Sequence, residues 1–257
     1  MKKSLLIISI TLVAALILSL GVYGLVSIVA PFASSIVTDA RSNVKENEEI
    51  FAKANRRPRI VLDAGHGGED SGAVGIDGVL EKDLNLSLTL RLRDLLIFEG
   101  WEVILTRDSD VLLYDPESAL SHKVQDLKKR LDMGSAYPDA VFVSIHMNKF
   151  PAESCQGLQV YYSPNHVRSQ DIAERMQRDV KNYLSPDNHR HCKKATTSIY
   201  ILSRIQNPAI LVECGFLSNP AECAMLQTNG YQKQLTAVFC SSLYNEFCIT
   251  ATKSSVN

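Results

Sequence analysis

Leu84-Asn85-Leu86-Ser87-Leu88-Thr89-Leu90-Arg91-Leu92 decides the fold, because its leucines fit two different periods. Leucine at every second position is the pattern of a half-buried strand. The run continues through Leu95 and Leu96 to Glu99, however, and Leu84, Leu88, Leu92, Leu95 and Leu96 share one face of a helix. Leucine is a strong helix former, and parallel strands need a crossover helix between them. The stretch therefore reads as a helix. Outward from it, short β-branched runs near residues 59–64, 101–106, 140–146, 158–162 and 209–214 alternate with longer helical ones. Ile172, Met176, Val180 and Leu184 form one helical face, and Tyr231, Leu235, Val238, Ser242 and Leu243 another, both facing a core. This alternation predicts an α/β domain with a mostly parallel twisted sheet.

The chain has 257 residues and a formal net charge of −1. It has no basic footprint for gripping a polyanion, which removes nucleic acid as a partner. Lys2 and Lys3 precede an apolar run, residues 5–33, without a charged residue. Such lysines keep the start of the chain in the cytoplasm and send the remainder across the membrane. The run is longer than the roughly 7–15 apolar residues of a cleavable signal and can cross a bilayer about 30 Å thick, so residues 1–34 read as an uncleaved anchor. Ala33-Ser34-Ser35 offers small residues suited to signal peptidase, and cleavage is the alternative. Residues 35–57 read as a polar stalk, 58–250 as one catalytic domain and 251–257 as a tail. The domain is expected to face outward. The six cysteines (Cys155, Cys192, Cys214, Cys223, Cys240 and Cys248) are not spaced as a compact disulfide framework. Most are expected to be free, with Cys155 and Cys192 the one pair left open.

Four elements carry chemistry. The first strand runs into Asp63-Ala64-Gly65-His66-Gly67-Gly68, which places a histidine at a strand end in a glycine-rich turn. Taken alone, His66 either orients its loop or binds a metal. Glu81-Lys82-Asp83-Leu84-Asn85 puts a carboxylate where the helix dipole favours one. Ser144-Ile145-His146-Met147-Asn148 ends an apolar strand with Ser144, His146 and Asn148 on one face. Ile210-Leu211-Val212-Glu213 sets a lone glutamate in the last apolar strand, where an unpaired charge is costly. Two histidines and a carboxylate make the three-ligand zinc set that leaves a position for water, and Glu213 beside it can serve as general base. His189-Arg190-His191-Cys192 has a metal-like composition but lies in a polar loop, and a solvated turn is its default reading. His122 and His166 sit at helix starts as surface or capping residues, and Tyr161, Tyr162 and Tyr200 either pack or line a groove.

The chain from Arg59 to the last helix resembles the zinc N-acetylmuramoyl-L-alanine amidases of the amidase-3 type. The resemblance rests on Gly65-His66-Gly67-Gly68, on Leu80-Glu81-Lys82-Asp83, on Ser144 to Asn148, and on Val212-Glu213-Cys214-Gly215-Phe216-Leu217-Ser218-Asn219. It implies a sheet of about six strands flanked by helices, and one zinc ion held by His66, Glu81 and His146. It also implies Glu213 as the catalytic acid/base and the amide between muramic acid and L-alanine of peptidoglycan as substrate. Asn148, Ser144 and Arg130 are candidates for substrate contact, Arg130 being equally suited to a structural ion pair. Members commonly have Asn-Ala where this chain has Asn148-Lys149, a departure at the groove edge. A narrower resemblance, in Asp126-Leu127-Lys128-Lys129-Arg130 and Ser198-Ile199-Tyr200-Ile201-Leu202, is to the germination-specific amidases of endospore formers. It implies spore cortex as substrate, a step towards muramic-δ-lactam, and a place in the forespore intermembrane space. A vegetative cell-separation amidase and a non-catalytic peptidoglycan-binding module are the alternatives, and an extracytoplasmic accessory protein is a candidate partner.

Overall fold

In this computed structural model the described residues are 58–249, together with isolated helical positions at 18, 19, 38, 41, 42, 44 and 45. The anchor, the stalk and the C-terminal tail otherwise lie outside them. Among the described residues no helix is long and apolar enough to cross a membrane.

Six strands form one sheet: β1 (Arg59–Ala64), β2 (Glu102–Leu105), β3 (Val141–Asn148), β4 (Gln159–Tyr162), β5 (Lys193–Lys194) and β6 (Ala209–Phe216). Their spatial order is β2-β1-β3-β6-β4-β5. The first four in that order run parallel. β4 pairs antiparallel with β6, and β5 runs parallel to β4, so the sheet is mixed rather than simply parallel. The cause is local: no helix intervenes between β3 and β4, and a chain that returns without a crossover helix enters the sheet antiparallel. The chain leaves β1 towards β2 on one side and later returns to place β3 on the other. The β1/β3 boundary is therefore a switch point, where the carboxyl ends of parallel strands open a crevice.

Helices α1 (Glu81–Phe98), α3 (Arg168–Tyr183) and α5 (Asn229–Tyr244) cover one face of the sheet, and α2 (His122–Ser135) covers part of the other. A short helix, α4 (Pro220–Leu226), follows β6, its start capped by the Asn219 side chain. Strand alternation divides the core accordingly. Ile60, Leu62, Val143, Ile145, Ile210 and Val212 pack with α1, α3 and α5. Val61, Phe142 and Leu211 pack on the opposite side with Ile201, Leu202 and Ile205. By the same alternation Asp63, Ser144, His146 and Glu213 belong to this second, more thinly covered face.

The deciding stretch is helical. Leu84, Leu88, Leu92 and Leu96 are buried at the four-residue spacing of a helix, while Leu86 and Leu90 are only half-buried. Leu88→Ala should accordingly cost about 2–5 kcal/mol of unfolding free energy in urea titrations, and Leu90→Ala well under half of that. Equal losses at the two positions would contradict a single buried stripe.

Candidate active site

The turn after β1 is shaped by close approach. A side chain at Gly65 would put its Cβ 2.2 Å from the His146 ring, so only glycine lets the two strand ends meet. His66 comes next, with φ 62°, a left-handed backbone that a non-glycine residue adopts at a cost. Two buried arginines hold it there. Arg130 Nη1 donates to Ala64 O (2.6 Å) and Nη2 to His66 O (2.7 Å). Arg107 donates from Nε to Ala64 O (2.9 Å) and from Nη2 to Gly65 O (3.0 Å) and Lys82 O (2.8 Å). Three successive carbonyls of the turn are thus occupied by guanidinium donors.

Arg130 in turn ion-pairs with Asp63 (2.6 Å) and Asp126 (2.7 Å). Asp63 also accepts from Thr106 Oγ1 (2.7 Å) and Ser144 Oγ (2.6 Å). Burial opposes the Asp63 charge, but Arg130, Ser144 and Thr106 more than offset it and hold the carboxyl below its ordinary value.

Into this frame α1 delivers Glu81 at its first residue. Glu81 Oε1 lies 2.9 Å from His146 Nδ1 and 3.3 Å from His66 Nε2. It also accepts from Met147 N (3.0 Å), while Oε2 accepts from Ala73 N (2.8 Å). One ligating atom from each of His66, Glu81 and His146 lies within 4.8 Å of the other two. Burial works against the Glu81 charge, yet hydrogen bonds from His146 and His66 hold its carboxyl far below the usual range. Asp70 Oδ2 sits 3.0 Å from His66 Nδ1. Burial lowers the His66 imidazole, but Glu81 and Asp70 outweigh it and the net shift is upward.

Glu213 stands directly across from His146 in the β3/β6 register. Its Oε2 is buried without a hydrogen-bond partner among the described residues. Burial pushes the carboxyl up to about 7, against the pull of His146 and with the help of the Glu81 charge. Two imidazoles and a carboxylate at one point, beside a carboxyl of elevated pKa, form a donor set suited to a divalent cation with an adjacent proton acceptor.

A sequence profile described as N-acetylmuramoyl-L-alanine amidase (Amidase_3) matches residues 60–245. The chain belongs to this amidase family. It is 35% identical over 188 residues to the germination-specific N-acetylmuramoyl-L-alanine amidase of Bacillus subtilis, covering 72% of this chain and 76% of that one. Among solved structures it resembles the CwlD amidase of Clostridioides difficile, whose structure is a complex with the GerS lipoprotein. That match has a TM-score of 0.72 and 35% identity, covering 75% of this chain and all (100%) of that one. The catalytic domain of CwlV from Bacillus (Paenibacillus) polymyxa matches with a TM-score of 0.62 and 30% identity, over 73% of this chain and 97% of that one.

In the amidase, the three candidates for substrate contact lie in different settings. Ser144 and Arg130 are each 2% exposed and committed to Asp63, so they brace the floor beneath the site. Asn148 is half-buried at the rim, and its carbonyl accepts from Leu217 N (2.8 Å). A bulge in β6, where Cys214 and Gly215 together oppose Met147, separates the His146–Glu213 and Asn148–Phe216 pairs, while along β3 a buried Met147 still stands between half-buried His146 and Asn148. Lys149 is exposed at the groove edge and donates to Val74 O (2.8 Å). His122 stacks on Tyr114 and pairs with Glu69, and His166 Nδ1 accepts from Arg168 N, as surface and turn residues do. The His189–Cys192 tract joins no metal-like cluster among the described residues. Cys155, Cys192, Cys214, Cys223 and Cys240 are free thiols. Asp70, Arg107 and Asn85, whose Nδ2 donates to Gly65 O (3.1 Å) and Glu81 Oε1 (3.3 Å), are additions to the site for which the sequence carried one usable signal, an acidic residue four positions after His66.

This arrangement has two measurable outcomes. Arg130→Ala should destabilise the domain by about 3–5 kcal/mol in urea unfolding, because it strands two buried carboxylates. A carboxyl that titrates at about 7 when folded and near 4.5 when unfolded binds its proton more tightly in the folded state. In the chelated domain the contribution of Glu213 to stability is therefore full below about pH 4.5 and is lost as pH rises to about 7. Glu213→Gln should match the parent at acid pH and exceed it above neutrality by on the order of 1–3 kcal/mol. Parallel stability profiles across that window would contradict the burial of Glu213.

Proposed function

We propose that this amidase hydrolyses the amide between the lactyl group of muramic acid and L-alanine in spore-cortex peptidoglycan, using one zinc ion held by His66, Glu81 and His146. The observation that carries the reading is the convergence of those three donors beside the unpartnered Glu213 carboxylate. Bound zinc would supply Lewis acidity towards the scissile carbonyl and the attacking water. Asp70 holds His66 through Nδ1, so that its Nε2 faces Glu81. The backbone N–H groups of Ala73 and Met147 fix both oxygens of Glu81. Glu213 takes a proton from the attacking water and passes it to the departing amine of L-alanine as the carbon–nitrogen bond breaks. The products are a muramic carboxylate and a free peptide amine, without a covalent intermediate.

The choice of cortex is supported by the likeness to the germination-specific enzyme of Bacillus subtilis and to CwlD of Clostridioides difficile. With residues 1–34 as a membrane anchor and 35–57 as a stalk, the catalytic domain stands outside the cytoplasm, in the forespore intermembrane space. An extracytoplasmic accessory protein fits the same reading, since the Clostridioides relative is seen with a lipoprotein.

The test is zinc content measured together with muropeptide release from purified cortex and vegetative wall. Zinc bound near one equivalent, with stem peptides freed preferentially from cortex, is the expected result. Equal release from both walls would move the enzyme to vegetative growth, and bound zinc with intact stems would remove autonomous activity. Glu213→Gln should keep its zinc and lose cleavage by about 10²-fold or more. His66→Ala, Glu81→Ala and His146→Ala should each lose zinc by direct metal analysis.

A further inference from the structure

Three arginines surround the site, and they differ in what they have left to give. Arg107 and Arg130 are buried and their guanidinium groups are occupied by carbonyls and carboxylates. Arg190 is half-buried, and it is held by neutral partners only. Its Nη1 donates to Gln159 Oε1 (2.9 Å) and its Nε to Gln156 O (2.8 Å), and the guanidinium lies 4.5 Å over the Phe216 ring. Among the described residues Nη2 has no hydrogen-bond partner, and no carboxylate lies within ion-pair distance of the group. The side chain is pre-placed: a Cβ at Gly157, where φ is +97°, would stand 2.6 Å from Asn188 Oδ1, and Asn188 Oδ1 accepts from Arg190 N.

Its position joins two features. Gln159 is the register partner of Glu213 across β4 and β6, so the residue that anchors Arg190 is the immediate sheet neighbour of the catalytic candidate on the same face. On its other side Arg190 lines a groove of about 650 Å³ formed with Gly157, Asn188, His189, Glu222 and Met225. Glu222, the groove's half-buried carboxylate, spends Oε1 on Gly157 N (2.8 Å) and Oε2 on Phe216 N (2.8 Å), so it meets Arg190 through longer-range charge attraction and not through a direct ion pair. A rigid guanidinium with one open edge, beside the reaction centre and facing a groove, is built to receive a carboxylate.

We propose that Arg190 reads a carboxylate on the peptide side of the substrate and that the groove beyond it is the stem-peptide subsite. This rests on the amidase reading above. The chemistry of the substrate fixes the side: the lactyl carboxyl of the sugar is consumed in the scissile amide, whereas the peptide keeps a free carboxylate after L-alanine. The metal-like composition of His189-Arg190-His191-Cys192 then marks an anion reader.

The test compares two synthetic muramoyl-L-alanyl peptides that differ only in a C-terminal carboxylate or carboxamide. The zinc-loaded wild-type protein should favour the carboxylate by about tenfold or more in kcat/KM, mainly through KM. Arg190→Gln should abolish that preference while zinc content and melting temperature stay unchanged, and Arg190→Lys should restore part of it. Equal rates on the two peptides with wild-type protein would overturn the proposal even if the variants fail to fold. Retained preference in Arg190→Gln would overturn it as well. If neither peptide is cleaved despite bound zinc, the amidase reading fails separately. Calorimetric binding of the two peptides to the wild type and to Arg190→Gln then decides the role of Arg190.

Discussion

The site depends on a buried ion pair that touches none of the reacting atoms. Asp63 ends β1 with its charge inside the domain, and Arg130 of α2 meets it across the sheet face. Neither charge is tolerable there without the other. Once paired, Arg130 has donors left over, and it spends them on the carbonyls of the turn that carries His66. The cost of the buried charges and the cost of the left-handed His66 backbone are thereby met by the same contacts. Arg107 repeats the arrangement from the β2 side, so the turn is gripped by residues delivered from two different connections.

Around that grip the sheet divides its labour. One face is given over to hydrophobic packing with α1, α3 and α5. The other carries Asp63, Ser144, His146 and Glu213 near strand ends, where among the described residues α2 and the segment before β6 cover it. Glu81 is the one ligand candidate to come from the packed side, and it does so from the first turn of α1, where the helix dipole favours a carboxylate. The switch point between β1 and β3 is where these contributions meet.

Much of this was legible in the sequence. The leucine spacing after Glu81 fixed the crossover helix; His66, His146 and Glu213 stood out as polar groups in or just after apolar strands, where they are costly unless used, and Glu81 as a carboxylate at a helix start. What escaped had physical reasons. β5 is two residues long and has no period to detect. The reversal of β4 comes from a missing helix rather than from any residue in the strand. Arg107 acts through contacts more than forty residues away, which no local pattern encodes; Arg130 stood out as suited to a structural ion pair, but its partner Asp63 lies more than sixty residues away and the sequence did not name it. The bulge opposite Met147 belongs to the partner strand β6, whose apolar run carried no sign of it.

The left-handed His66, pinned by its carbonyl and by Asp70, has one more consequence. Small metal domains whose ligands are loose in the absence of metal fold and bind in a single event, and chelation denatures them. Here the turn, the helix start and the strand end are each tied by the domain's own hydrogen bonds: Arg130 and Arg107 to the turn carbonyls, and Ala73 N and Met147 N to Glu81. The geometry of the three donors is then a property of the folded domain, and a change in the packing beneath the turn reaches the site as surely as a change in a donor itself.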